Sequence, residues 1–113
     1  MDYSNRLRFD TIRTLAFGGI SGVFAAVGGA LTVKPRLIKI QNVTNQPVEL
    51  TSDGTNVQDY IPANSFTLYD LTANKVTING AFISEGVIFS VRRPVGVANP
   101  TSGAIYITII YGE

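Results

Sequence analysis

The chain has 113 residues, 45% of them hydrophobic and only 15% charged, with a net charge of +1 and neither histidine nor cysteine. That length makes one domain able to bury roughly two-thirds of its unfolded surface. The missing residue types exclude disulfides, thiolate nucleophiles, imidazole bases and the usual zinc and iron ligands.

A charge fraction below the usual quarter or so points to a surface covered by something other than water. The charge is also unevenly placed. Residues 1–39 carry Arg6, Arg8, Arg13, Lys34, Arg36 and Lys39 against Asp2 and Asp10, while every later segment is neutral to acidic except for Lys75, Arg92 and Arg93. A basic leading segment on a mildly acidic body suits self-assembly or contact with nucleic acid. It lacks the dense Arg and Lys and the interleaved aromatics that a nucleic-acid arm would use, so no nucleic-acid partner is expected.

Residues 1–14 are polar and basic. The uncharged run 15–33 raises the question of a membrane span, and behind Arg6, Arg8 and Arg13 it also imitates a signal peptide. Asp2 and Asp10 sit in the would-be positive region. Gly18, Gly19, Gly22, Gly28 and Gly29 would each cost a helix about 1 kcal/mol relative to alanine, and the strongly apolar residues are few. The segment is therefore read as an extended, glycine-jointed arm over residues 1–34, ending in a strand near Val23–Val27. Its apolar side chains are worth about 1.5–3 kcal/mol each when buried. They repay the ordering of the arm only where a surface receives them.

The remaining residues, 35–113, read as an all-β domain. Strands are expected at Leu37–Val43, with Ile38 and Ile40 on one face, at Val48–Thr51, at Thr55–Tyr60 and at Ser65–Leu71. Further strands are expected at Val76–Ile78, Ala81–Ile83, Val87–Arg92 and Ala104–Tyr111. Asp53-Gly54 and Asn79-Gly80 are two-residue hairpin signals, and Ile61-Pro62-Ala63-Asn64 interrupts pairing. Short strands with turn signals at roughly 8–12-residue spacing describe a small antiparallel β-sandwich, jelly-roll-like domain or barrel. In the last strand Ile105, Ile107, Ile109 and Tyr111 share one face and Tyr106, Thr108 and Ile110 the other. A strand apolar on both faces is covered on both, here by the chain's own N-terminal segment or by another subunit. A homo-oligomer is the expected state.

Little in the chain resembles catalytic machinery. Asp53, Asp59, Asp70 and Glu85 are the only candidate catalytic carboxylates of the β body, each at a turn or strand edge, where paired acids would need a cleft. Asp53-Gly54-Thr55-Asn56 lacks the alternating acids and terminal glutamate of a calcium loop. No glycine spacing fits a phosphate loop or a dinucleotide fingerprint. Arg92-Arg93-Pro94 reads as a strand end that blunts an edge, and Tyr60 and Tyr69 are the one conceivable start of a sugar-stacking platform. No catalytic residue, metal or cofactor is expected.

The run Arg8-Phe9-Asp10-Thr11-Ile12-Arg13-Thr14-Leu15-Ala16-Phe17-Gly18-Gly19-Ile20-Ser21-Gly22 resembles the opening of small accessory virion proteins of tailed phages, especially short-tailed ones. The likeness continues through Pro35–Thr44, Asp53–Asn56, Pro62–Asp70 and Pro100–Ile107, and so spans nearly the whole chain. The resemblance implies a non-enzymatic structural protein of the virion, assembled in the host cytoplasm and present in many copies. Its partners would be capsid, portal or tail subunits. A capsid cement or decoration protein is the first expectation, with a head–tail junction or fibre-attachment protein, or a carbohydrate-binding sandwich, as alternatives. Docking is expected through Phe9, Ile12, Leu15 and Phe17 as apolar anchors, with Arg6, Arg8 and Arg13 pairing to acidic partner surfaces.

Overall fold

The alternation of β-branched and polar residues resolves into two antiparallel sheets. A computed structural model describes residues 7–70 and 86–112, and within them the chain is all-β apart from one short 3-10 turn. The strands are β1 (Leu7–Phe9), β2 (Arg13–Ala16), β3 (Ala25–Ala26), β4 (Pro35–Asn42), β5 (Val48–Thr51), β6 (Asp59–Ile61), β7 (Ser65–Asp70), β8 (Ser90–Arg92) and β9 (Ala104–Gly112). Sheet A has the order β1-β9-β4-β7, with β2 also paired to β9. Sheet B has the order β3-β8-β5-β6.

β9 is the longest of the described strands and pairs along both of its edges, with β4 on one side and β1 and β2 in succession on the other. Its inward face is the centre of the core. Ile105, Ile107 and Ile109 are fully buried and meet Ile38 and Ile40 of β4 from the same sheet. Val48, Leu50, Ile61 and Val91 close the core from sheet B. The sequence-predicted strand over 48–51 is observed with the same bounds.

The expected division at residue 34 is not how the chain folds. The segment read as a projecting arm supplies strands to both sheets, β1 and β2 to sheet A and β3 to sheet B, and its Ile20, Val27 and Leu31 lie in the same core as the later strands. The physical reason is supply and demand of surface: β9 has an edge without a partner, and the sandwich has an open side that these side chains fill. The surface that receives residues 7–34 belongs to their own chain.

One other expectation shifts. Residues 55–58 form a loop rather than the start of a strand, because Asp53 organises a turn. Its carboxylate accepts the backbone N–H groups of Thr55 and Asn56 at 2.8 and 2.9 Å, and the Gln58 side chain accepts from Ser52 N–H and hydroxyl at 2.7 Å. These side-chain bonds substitute for a ladder. The second expected hairpin, at Asn79-Gly80, lies outside the described residues.

The corner from β4 into β5 is held by a buried amide. Asn42 Nδ2 donates to the carbonyls of Gln46, Ile61 and Pro62 at 2.9–3.1 Å, and its Oδ1 accepts Thr44 N–H at 3.0 Å. Both Asn42 and Thr44 are at most 1% exposed, and this one side chain pairs the buried Ile61 carbonyl together with the part-buried carbonyls of Gln46 and Pro62.

Candidate functional site

The outer faces of the two sheets differ in kind. On sheet B the outward residues form a cross-strand row of Tyr60, Glu49, Arg92 and Phe24. Arg92 Nε donates to Glu49 at 2.9 Å, and the guanidinium lies 4.4 Å from the centre of the Phe24 ring. Charge and aromatic surface on this face are matched to each other.

Sheet A presents the opposite case. Because β9 pairs Ile105, Ile107 and Ile109 inward, the register sends Tyr106, Thr108 and Ile110 outward, together with Leu37, Lys39 and Gln41 of β4. The pairing of Ile38 with Tyr69 and of Ile40 with Thr67 turns Tyr69 and Thr67 inward, and so places Phe66, Leu68 and Asp70 outside. Phe9 joins them opposite Ile110. Phe9 is 71% exposed, Phe66 61% and Leu68 55%. A shallow hollow of about 260 Å³ in this face is lined by Phe9, Leu37, Lys39, Leu68, Thr108 and Ile110. Among the described residues nothing covers it, and Lys39 at its middle has no hydrogen-bond or ion-pair partner. A contiguous apolar patch on one sheet face, with a single cation in it, is the surface pattern of a protein-docking site.

The residues expected to dock from sequence are only partly brought together here. Phe9 is on the face. Arg8 lies on exposed β1 opposite Tyr111, Ile12 is exposed in the link to β2, and Phe17 is 39% exposed in the turn Phe17–Gly19. Leu15 packs against the core instead. Arg13 is engaged within its own chain: it forms an ion pair with Asp10 at 2.9 Å, and its side chain runs against Gly28 with long bonds to the carbonyls of Gly29 and Ala30. Leu15 and Arg13 thus make their contacts here within the chain's own fold. Arg6 lies outside the described residues.

Sequence reasoning did not single out Leu37, Lys39, Phe66, Leu68 and Ile110. The alternation of Phe66 and Leu68 with Thr67 and Tyr69 was legible, yet hydrophobicity alone would turn the phenylalanine and leucine inward. Only the register against β4 reverses it.

The other candidates resolve into structural roles. Tyr69 and Tyr60 do not form a platform: Tyr69 faces the interior, its hydroxyl donating to the Asp59 carboxylate, while Tyr60 faces out from sheet B. Burial, and then Asp59, push the Tyr69 phenol above its usual value. The Asp53 carboxyl is held well below the usual range by the backbone N–H groups of Asn56 and Thr55 and by the Thr51 hydroxyl, which is a turn former's environment. Among the described residues there is no group of three or more metal-ligating side chains, and no helix is long and apolar enough to cross a membrane. Glu85 lies outside the described residues.

Comparison with known proteins returned no matching family model, no matching curated protein and no matching solved structure.

Proposed function

We propose that the chain is a non-enzymatic structural component of a tailed-phage virion, docking onto neighbouring virion subunits through the outer face of sheet A and the N-terminal strand beside it. Within that reading, capsid cement or decoration comes first, ahead of a head–tail junction or fibre-attachment role. The observation that carries the docking is the inequality of the two sheet faces. One matches its own charges, while the other leaves Phe9, Phe66 and Leu68 in water beside Leu37 and Ile110. The virion setting rests on the sequence resemblance that runs from Arg8 to Ile107.

The magnitudes favour a many-copy role over a single tight partnership. Covering the exposed fractions of Phe9, Phe66 and Leu68 is worth about 1–2 kcal/mol each. Association costs about 4–15 kcal/mol in lost freedom, so one such face binds weakly alone. Repetition of the contact over an assembled shell turns it into avidity. Lys39 in the middle of the patch selects an acidic neighbour for the apolar contact.

The test is incorporation into particles. A Phe66→Ser, Leu68→Ser double variant changes only half-exposed or exposed side chains, so it should fold and melt within a few degrees of the wild type. It should nevertheless be missing from purified particles that carry the wild-type chain. Its presence there at wild-type copy number would overturn docking through this face.

A further inference from the structure

Residues 7–16 are attached to the rest of the fold in an unusual way. They contribute seven register pairs to β9, yet no described residue before Ile20 belongs to the buried core, and Ile20 itself is 2% exposed. Leu15 is the one side chain of the ten that packs against that core. Between the segment and Ile20 lies the turn Phe17–Gly19. A side chain at Gly18 would meet nothing within 4 Å, and one at Gly19 would meet only Leu15 of the segment itself. Two backbone bonds hold the joint, Phe17 N–H to the Gly103 carbonyl and Ile20 N–H to the Phe17 carbonyl, both 3.0 Å. The open space at its glycines lets it re-aim at the cost of these bonds and of no core packing.

We propose that this segment is exchanged between copies of the chain, β1 and β2 lying on β9 of a neighbour as they lie here on their own. The occupant of each β9 edge is then a second copy's residues 7–16. The β9 ladder and the contacts of Asp10 and Arg13 that hold the segment are reproduced in the exchange. The ladder from Leu7–Gly112 to Ala16–Ala104 forms equally with a second β9. The bond from Asp10 N–H to the Ile109 carbonyl, 2.8 Å, and the lodging of Arg13 against Gly28 re-form likewise. The Arg13–Asp10 ion pair lies inside the segment and travels with it. These contacts are kept and the chain path changes at the turn, which is the condition under which exchanging an element is a low-cost route to association. The segment also borders the proposed docking face through Phe9, so a neighbour seated there stands next to the strand it would receive.

This inference rests on the many-copy reading above, since exchange competes with a covalently tethered strand and gains as neighbours are concentrated. The absence of cysteine from the chain makes it directly testable. Thr14 and Tyr106 are register partners on the outer face, and opposed strand positions lie within the Cα separation a disulfide spans. A Thr14→Cys chain and a Tyr106→Cys chain, distinguished by a tag, are unfolded together, refolded at increasing concentration and oxidised, with the 14–106 linkage identified by mass spectrometry. The double variant Thr14→Cys, Tyr106→Cys reports the tethered state, and Thr14→Cys with Thr108→Cys reports chance encounter, being out of register.

Exchange gives a 14–106 link between the two chains whose yield relative to the tethered link rises in proportion to concentration, and no comparable 14–108 link. Tethered links alone at every concentration, or equal 14–106 and 14–108 yields between chains, would overturn it. Because the experiment uses the purified chain only, its failure leaves face docking intact, whereas failure of the docking reading shows in the particle test with Phe66 and Leu68.

Discussion

Replacing Gly103 by alanine separates backbone strain from steric collision in this fold. Gly103 has φ +90° and opens β9, and a Cβ built on it would lie 1.8 Å from the Val43 carbonyl oxygen. That is about 1.6 Å short of the 3.4 Å at which ordinary contact begins. The neighbourhood has no slack, because Val43 N–H donates to the Ala104 carbonyl at 2.9 Å and Phe17 N–H to the Gly103 carbonyl at 3.0 Å. Gly54 provides the control: its φ is +82°, but nothing lies within 4 Å of its would-be Cβ. Gly54→Ala should therefore cost only the left-handed conformation, about 1–2 kcal/mol. Gly103→Ala adds the loss of two backbone hydrogen bonds, about 0.5–1.5 kcal/mol each, and the displacement of β9 from β4, for a total of about 3–5 kcal/mol. In a domain of this size each kcal/mol moves the melting temperature by about 4–6 °C. Scanning calorimetry should then place Gly54→Ala about 5–10 °C below the wild type and Gly103→Ala about 15–25 °C below it. Melting temperatures for the two variants within about 3 °C of each other would refute the argument that the Val43 carbonyl, and not the dihedral angle, decides this position.

Asn42→Ala removes the donor for the buried Ile61 carbonyl and the part-buried carbonyls of Gln46 and Pro62, and the acceptor for Thr44. The expected loss is about 2–4 kcal/mol in urea denaturation, and a loss below about 1 kcal/mol would show that the corner is held otherwise. Stability should also depend on pH at both extremes. The folded-state pKa of Asp53 is depressed, so its contribution is complete above its unfolded value near 4 and is lost as pH falls below that. The folded-state pKa of Tyr69 is raised, so its contribution is complete below about pH 10 and is lost as pH rises past it. Urea midpoints measured against pH should show a shallower acid limb in Asp53→Asn and a shallower alkaline limb in Tyr69→Phe. Curves parallel to the wild type would exclude these groups as the cause.

The fold class and the strand at its centre were legible from residue pattern alone. Alternating Ile105, Ile107 and Ile109 require a buried face wherever they are placed, and the turn residues around Val48–Thr51 bound that strand without help from anything distant. The apolar outward face of β9 was legible for the same reason, since a period of two assigns each side chain to one of two sides. What covers each side is not a local property. Whether residues 7–34 project or fold back depends on the free energy of filling the edge of β9 and the open side of the core, which exists only once β4, β5, β8 and β9 are assembled. The orientation of Phe66 and Leu68 depends in the same way on the β4–β7 register, where a slip of one residue would have buried them and exposed Thr67 and Tyr69. Local periodicity fixes which residues travel together, and long-range pairing decides which of the two groups faces water.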